Sequence, residues 1–596
     1  MLIAIPLSNR SFDPADTAAS PRASEWRQCG SIWLWCEPSA DAERGVVREW
    51  RGLLSLPVSI SSDSSNPDGR VEVIVVGAPQ SLEPGDDRQP HRTIAQTLLE
   101  LYLRDGVSAI SKLRGAFACV IADGRDGRVY LARDFFGFVP LFHYRRNDVL
   151  FCSTSLRALT EAARIEPRIE PAGLLRYYLF GYVAPPLTLY RAIRQTQPGH
   201  YCAISRSEAT VHRYAQFPTG RRRERDEREI RRELTEAISQ AVFEETSGDA
   251  DVSIALSGGL DSAVVAAALP EARQRPIRAF TLRPRPRDPS DSRGDEALGE
   301  FCGEKNLDLT PLDFDLHDFA LLPQFLEAMR EPVCVRPLFY LFLLLRGASG
   351  LTRRMLLGEG GDELFVGYRH QIQLLQSFVR RQLENNGGGR LRRERLLRRA
   401  KLLEGALGWT PSDDVIEEAL ACLPEEPVGP DLNGFLDALV EQELTCFPYF
   451  FAGVRLGAFW GIDVRCPLLH PAVVNAAFSL SWESLVTPEA QSGLTKTALR
   501  NAFRGVIPDR LLARPKEGFG ESWNEYTTLT RQFAGYSTAT VRWLEASGLP
   551  INSRASEEAI PAEGEAADLF WHNVFLGLWL ESGVGELELS TKEARG

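Results

Sequence analysis

Residues 1–215 carry short apolar runs separated by turn residues. SIWLWCE, VEVIVVGAP, GAFACVIADGRDGRVYLARD and VLFCSTS are each bounded by Gly, Pro, Asp or Ser, which predicts strands. Phe117–Arg133 predicts a hairpin, because two β-rich runs flank Asp123-Gly124-Arg125-Asp126-Gly127, where glycine permits a tight turn. Ser11–Ser24 and Ser59–Gly69 are polar, rich in Ser and Pro, and are expected to be loops. The pattern changes after Pro218–Arg228 (PTGRRRERDER), a mixed charge run expected to be a solvated linker or a helix start rather than a binding patch. Beyond it, strand and helix signals alternate: VSIAL at Val252–Leu256, a helix at Ala263–Leu269, IRAFTL at Ile277–Leu282, RMLL at Arg354–Leu357. Such alternation implies a parallel sheet in an α/β layer, followed by helices as far as Trp579. Arg283–Asp295 and Glu384–Arg399 are charged and rich in Pro or Gly, and read as surface loops or lids.

Length and composition narrow this picture. At 596 residues the chain exceeds one ordinary domain, and its 44% hydrophobic and 25% charged content is that of a globular protein. A net charge of -12 argues against a general nucleic-acid binder. The 10 cysteines are scattered without CxxC or Cys/His metal spacing, so they read as buried, reduced thiols suited to a cytoplasmic protein. The N-terminus lacks the pattern of a signal peptide. The apolar run PLFYLFLLL is about half of the roughly 20 residues a membrane helix needs, and is read as a buried helix. No nucleic-acid or membrane partner is expected.

Three motifs carry chemistry. Ser257-Gly258-Gly259-Leu260-Asp261-Ser262 lies between the predicted strand VSIAL and a helix. A strand, a glycine turn and a helix N-terminus make an anion site, with free N–H groups and the helix dipole aimed at the ligand. Asp261 would repel phosphate unless a cation lay between them, which points to Mg²⁺. The loop is not a Walker A loop, since it lacks GxxxxGK[ST]. Gly358-Glu359-Gly360-Gly361-Asp362-Glu363-Leu364-Phe365 follows a second strand, and ligands gather at that edge of an open α/β sheet. Asp261 and Asp362 are candidate ligands for one Mg²⁺, and Glu359 is a candidate general base, although these acids would also suit a helix N-terminus. Ala513-Arg514-Pro515-Lys516-Glu517-Gly518-Phe519-Gly520 adds a lysine that matters only beside the first two motifs.

Taken together these motifs resemble the asparagine synthetase family, which includes asparagine synthetases, β-lactam-forming synthetases and the macrolactam cyclases of lasso peptide biosynthesis. SGGLDS is similar to the family's pyrophosphate loop, GEGGDELFVGY to its second signature and ARPKEGFG to its C-terminal lysine loop. LTKTALRNA and GIDVRCPLL resemble family segments more loosely, and RGAFACVIADGRDGRVYLARDFFGFVPLFHY is similar to the glutaminase-like domain. The resemblance implies an α/β fold in two parts. Residues 1–215 would form an Ntn-hydrolase-like, β-rich domain. Residues 216–596 would form a parallel-sheet ATP-pyrophosphatase domain, adenine nucleotide α-hydrolase-like, with many helices. It implies that Leu256, Ser257, Gly258, Gly259, Asp261, Ser262, Thr281, Gly358 and Lys496 bind ATP, with Asp261 and Asp362 on Mg²⁺. Glu359 would handle the proton of the incoming amine, and Lys516 would stabilise charge during adenylation and acyl transfer.

One departure bears on the substrate. Working family glutaminases use an N-terminal cysteine, whereas the second residue here is Leu2 and the first cysteine is Cys29. Leucine supplies no nucleophile, so the glutaminase-like domain is expected to be a scaffold. The amine would then come from ammonia or from the substrate itself. The expectation is macrolactam closure on a lasso precursor peptide, joining its N-terminal amine to an Asp or Glu side chain, with the leader-cleaved core as substrate and its maturation protease as a possible partner. The alternatives are an ammonia-dependent asparagine synthetase, another lactam-forming synthetase, or an inactive peptide-binding scaffold. Two further departures, His470 after the PLL segment and Arg330 before Glu331-Pro332, have no consequence legible in the sequence.

Overall fold

The computed structural model describes residues 2–6, 26–29, 32–35, 50–51, 57–63, 71–77, 79–81, 93–163, 165, 168–247, 251–270, 275–285, 292–383, 391–425, 431–446, 449–486, 494–515, 525–551 and 565–581. Two antiparallel sheets occupy the N-terminal part. One has six strands, in the order Arg194–Gln195, Phe142–Arg146, Val149–Ser153, Leu2–Pro6, Ile32–Trp35, Trp26–Cys29. The other has seven, in the order Ala209–Arg213, His200–Ile204, Arg128–Arg133, Phe117–Asp123, Val71–Gly77, Pro57–Asp63, Trp50–Arg51. The hairpin forms as predicted, with Asp123 opposite Arg128. Val71–Gly77 (VEVIVVG) is apolar on both faces apart from the buried Glu72, because both its faces are covered. Ile74 and Val76 face the sandwich core with Ile3, Val120 and Leu150, while Val71, Val73 and Val75 pack under the helix Ile94–Asp105.

The C-terminal part holds a five-stranded parallel sheet in the order Leu307–Phe314, Ile277–Pro284, Val252–Ala255, Arg354–Leu356, Asp463–Arg465. Chain order runs outward from Val252–Ala255 on one side and then restarts at Arg354–Leu356 on the other. The crevice between these two strands is a topological switch point, where α/β sheets bind ligands. PLFYLFLLL lies within the buried helix Arg336–Ala348. Among the described residues no helix is long and apolar enough to cross a membrane. The eight cysteines with described side chains are free, and all but Cys422 and Cys466 are buried.

Three expectations about loops are corrected. Ser59–Asp63 belongs to the strand Pro57–Asp63, paired with Val71–Val75. Val58 and Ile60 alternate with serines, a period-two strand pattern that the polar composition obscures. From Leu391 the basic segment is a helix, Leu391–Leu407, because Leu396, Ala400, Leu403 and Leu407 form an apolar stripe at helical spacing. Arg283 and Pro284 end a strand, and a helix begins at Ser292. Ser11–Ser24 lies outside the described residues.

The charge run after Pro218 is largely exposed, but it is docked at Arg222 and Arg225 rather than free along its length. The Arg222 side chain is 1% exposed and pairs with Asp437 at 2.5 Å. Arg222 also donates to the carbonyls of Ala477 (3.2 Å) and Leu480 (2.9 Å) and lies over the Phe478 ring. Arg225 bonds Ser479 and pairs with Glu229. The helix Glu227–Thr246 then starts at Asp226, as the alternative reading had it. The change of pattern near Pro218 is therefore not a break in packing. The helix Pro171–Phe180 shares one core with the C-terminal helices. Tyr177 donates to the His572 carbonyl (2.8 Å), Tyr178 to Asn573 (2.6 Å), and Arg176 to the carbonyls of Glu418 and Ala419. Arg455 pairs with Glu331 at 2.5 Å and also donates to the Phe138 carbonyl (3.4 Å).

Removing one partner of a buried pair leaves an uncompensated charge. Asp437→Ala is expected to destabilise the fold by about 3–5 kcal/mol, read as a lower denaturant midpoint, because Arg222 stays buried without its counter-ion.

Candidate active site

Three loops meet at the C-terminal edge of the parallel sheet. The first, Leu256–Gly259, follows the central strand and leads into the helix Leu260–Ala267. Gly258 has φ +76°, which turns the chain so that Gly259 caps the helix without a side chain. The first-turn N–H groups carry no side-chain cap. The two serines brace the turn: Ser257 Oγ lies 3.2 Å from Ser262 Oγ, Gly259 N–H donates to Ser257 Oγ (3.2 Å) and Ser262 donates to the Gly259 carbonyl (3.1 Å). Leu256 N–H donates to the Phe280 carbonyl (2.8 Å), which sets Leu256, just past the end of its strand, beside Thr281 within the next.

The second loop, Leu357–Gly360, follows the neighbouring strand. At Gly358 a Cβ would lie 2.7 Å from both the Asp261 carbonyl carbon and the Ser262 nitrogen, so the two loops touch backbone to backbone. A Cβ at Gly361 would run into the Asp261 carboxylate. These contacts bring Asp261 and Asp362 to one point, where Lys496 reaches both: its ammonium is paired with Asp261 and lies 2.6 Å from Asp362 Oδ1. Lys496 is 3% exposed and sits at φ +60°, an uncommon backbone conformation for a non-glycine residue that aims its side chain inward. The carboxylate pair thus holds one cation, the Lys496 ammonium. Among the described residues no group of three or more acid, His or Cys side chains converges for a metal, so any ion there needs oxygen ligands from elsewhere.

Glu359 stands apart from that pair. Its carboxyl Oε2 accepts from the Cys466 thiol (3.6 Å) and lies against Gly453. Burial, and then the nearby Glu363 charge, push the Glu359 carboxyl well above the ordinary range, while the thiol contact pulls the other way. Glu363 is a brace: it accepts from the Tyr368 hydroxyl (2.6 Å) and the Gly360 N–H (3.1 Å). Burial, then Asp362, push its carboxyl up to about 7, against the Tyr368 bond.

The third loop, Cys466–His470, closes on the second, with Leu469 packed where a Cβ of Gly360 (φ +100°) would lie. His470 caps the helix Pro471–Ser479 by accepting from Ala472 N–H (3.2 Å) through Nδ1, so an imidazole does the work of a capping acid. Its Nε2 faces Arg114 and Glu244, each at 3.2 Å. Arg330, the other departure, ends the helix Leu322–Met329 at φ +66°.

Several residues escaped the sequence reading. Arg514 donates to the Gly258 carbonyl (3.2 Å) and lies on the pyrophosphate-type loop. Arg500 donates to the carbonyls of Arg514 (3.0 Å) and Thr495 (2.7 Å), yet its Nη1 and the Thr495 hydroxyl are buried without a hydrogen-bond partner among the described residues. Orphaned donors beside a glycine loop and a helix N-terminus suit a polyanion. A basic residue four positions into a helix carries no such signal by itself. Lys516 lies outside the described residues.

A parallel α/β sheet with a glycine loop, helix N-terminus and paired carboxylates at its switch point defines a nucleotide-using enzyme. The asparagine synthase family model matches residues 233–544, and a glutamine amidotransferase domain model matches residues 84–215. The chain belongs to the asparagine synthase family, whose members are ATP-dependent amide-forming ligases. It is 26% identical over 473 residues to a putative glutamine-hydrolyzing asparagine synthetase of Mycobacterium tuberculosis (71% of this chain, 69% of that one). It is 24% identical over 459 residues to glutamine-hydrolyzing asparagine synthetase 1 of Bacillus subtilis (71% and 70%). Among solved structures it is similar to NMN synthetase from Francisella tularensis (11% identity, TM-score 0.23, 62% of this chain and 100% of that chain). It is also similar to glutamine phosphoribosylpyrophosphate amidotransferase from B. subtilis, at 12% identity and TM-score 0.20, over 42% of this chain and 63% of that chain. Scores this low carry no argument.

Two outcomes follow for the loops. Gly358→Ala is expected to cost about 1–3 kcal/mol, since the new methyl meets backbone rather than a movable side chain, and to weaken ATP binding at least tenfold by calorimetry. A carboxyl raised in the folded state lends its stability below the unfolded value and loses it as pH rises through the folded one. Glu363 should therefore cost the wild type up to about 3 kcal/mol between pH 4.5 and about 7. Denaturant midpoints of wild type and Glu363→Gln should diverge across that window, with the wild type falling.

Proposed function

We propose that this protein adenylates a carboxylate of a peptide and passes it to an amine of the same peptide, closing a macrolactam of the lasso type with release of AMP and pyrophosphate. The observation that carries this reading is a division of labour between acids on two neighbouring loops. Asp261 and Asp362 are tied to the Lys496 ammonium, whereas Glu359 accepts from the Cys466 thiol. The first arrangement suits polyphosphate, the second suits proton transfer.

In this reading Leu256–Gly259, Ser262, Thr281, Gly358 and the helix N-terminus hold ATP, with Arg500, Arg514 and Lys496 on its phosphate charge. Asp261 and Asp362 would hold Mg²⁺, whose oxygen-seeking chemistry fits two carboxylates and which, when bound, offsets phosphate charge. The substrate carboxylate attacks the α-phosphorus, forming an acyl-adenylate and freeing pyrophosphate. Glu359 then takes the proton from the amine as it attacks the acyl carbon and AMP leaves. Lys516 would steady the negative charge of both steps. Holding amine and acyl group on one chain makes the second step effectively unimolecular.

A second reading, asparagine formation from free aspartate and ammonia, is favoured by the names of the relatives and would use the same residues. The assay is pyrophosphate release from ATP and Mg²⁺, with a precursor core peptide against aspartate plus ammonia, each repeated with Asp261→Ala. Peptide-dependent release with a product lighter by one water is the expected result. Aspartate-dependent release would move the assignment to asparagine synthesis, and silence with both would reject adenylation by this site. Asp261→Ala should reduce release by at least a hundredfold, as for loss of a preorganised electrostatic group.

A further inference from the structure

We propose that Cys466 is a positioning residue for Glu359: its thiol holds one oxygen of that carboxyl against the helix Tyr449–Phe459 and so fixes the direction from which Glu359 accepts a proton. The proposal rests on the reading of Glu359 as the base, and goes beyond it by naming what aims the base.

The geometry has three walls. Cys466 follows directly on the strand Asp463–Arg465, which pairs with Arg354–Leu356, the strand that leads into Glu359. Leu357 N–H donates to the Arg465 carbonyl (2.9 Å), so the two chains run together up to the residues that meet. The thiol donates to Glu359 Oε2 at 3.6 Å. Opposite it, a Cβ at Gly453 would lie 2.6 Å from the same oxygen and 2.8 Å from Leu357 Cδ1, so only glycine at that helical position admits the carboxyl. One oxygen is thereby held between a sulfur, a helix backbone and a leucine. Among the described residues that oxygen has no other hydrogen-bond donor.

A thiol is a weak donor, which suits the task. A guanidinium or ammonium here would keep Glu359 ionised but too weak a base to take a proton; an apolar residue would leave the carboxyl free to turn. The charged groups facing this corner are few. Glu363 contributes from the same loop, Glu245 from the helix Glu227–Thr246, and Arg465 is occupied by Asp463 and Glu245. Burial, then the Glu359 charge and its bond, push the Cys466 thiol well above its ordinary range, so at neutral pH it remains a donor.

Two measurements on the full-length protein test this. The first needs no substrate: the rate at which iodoacetamide alkylates Cys466, followed by peptide mass spectrometry across pH, in wild type and Glu359→Gln. Because the thiolate is the reacting form, removing the carboxyl should speed labelling at least about tenfold at the alkaline end of the range, where Glu359 is ionised. Equal rates would overturn the contact. The second is the pH dependence of amide formation. Loss of the thiol donor in Cys466→Ala should move the acid limb to higher pH, and Cys466→Ser, with a stronger donor, should return it to the wild-type position or below. A Cys466→Ala profile that is lowered evenly, with its limb unmoved, would reduce Cys466 to packing and overturn the proposal. Labelling does not depend on turnover, so a contrast there beside a silent pyrophosphate assay would locate the failure in the reaction assigned, not in the pairing.

Discussion

Two carboxylates and one ammonium hold the site together. Asp261 and Asp362 come from loops on adjacent strands, and alone they would repel each other. Lys496 joins them from a segment more than a hundred residues further along the chain. Its backbone is bent to φ +60° to reach them, and Gly361 and Gly367 leave the room for its reach. A buried ammonium bound to two carboxylates leaves one net negative charge in a recess lined by arginines. That balance suits a ligand that brings its own cation and its own anion.

Around that triad each element has a reason to lie where it does. The strand order creates the switch point, and the glycines let backbone meet backbone across it. Arg500 and Arg514 are held by carbonyls so that their charge stays beside the Gly258 turn. The N-terminal sheets also take part. Arg114 reaches Glu244 and His470, whose neighbour Leu469 packs on Gly360, and Arg455 ties the helix beside Glu359 to the Phe138 carbonyl. The N-terminal sheets thus brace the loops and the helix that form the site.

The carboxyls of this site are sorted by what neutralises them. Those facing ammonium can stay charged, and suit phosphate chemistry. Glu359, facing sulfur and a helix backbone, is costly to ionise and so accepts protons more readily than an ordinary carboxylate. Glu363 lies between, bonded to Tyr368 and the Gly360 N–H, and its value near 7 reflects burial working against those bonds. The difference in role comes from neighbours supplied by other strands and helices, not from the loop itself.

Local chemistry is what the sequence determined by itself. SGGLDS and GEGGDE announce their turns because glycine and helix-capping patterns depend on residues within one turn of each other, and the hairpin at Asp123–Gly127 is legible for the same reason. VSIAL, IRAFTL and RMLL read as strands because alternation and apolar runs are short-range signals. The tertiary structure alone decided that PTGRRRERDER is docked, because burying Arg222 depends on Asp437 and on the carbonyls after Phe478. It alone decided that the serines at Ser59–Asp63 form a strand, since pairing with Val71–Val75 is a property of two segments. It alone joined Lys496, Arg500 and Cys466 to loops far from them in sequence. A motif records what a residue can do; long-range packing sets which charge or thiol it faces, and burial then sets whether that group stays ionised.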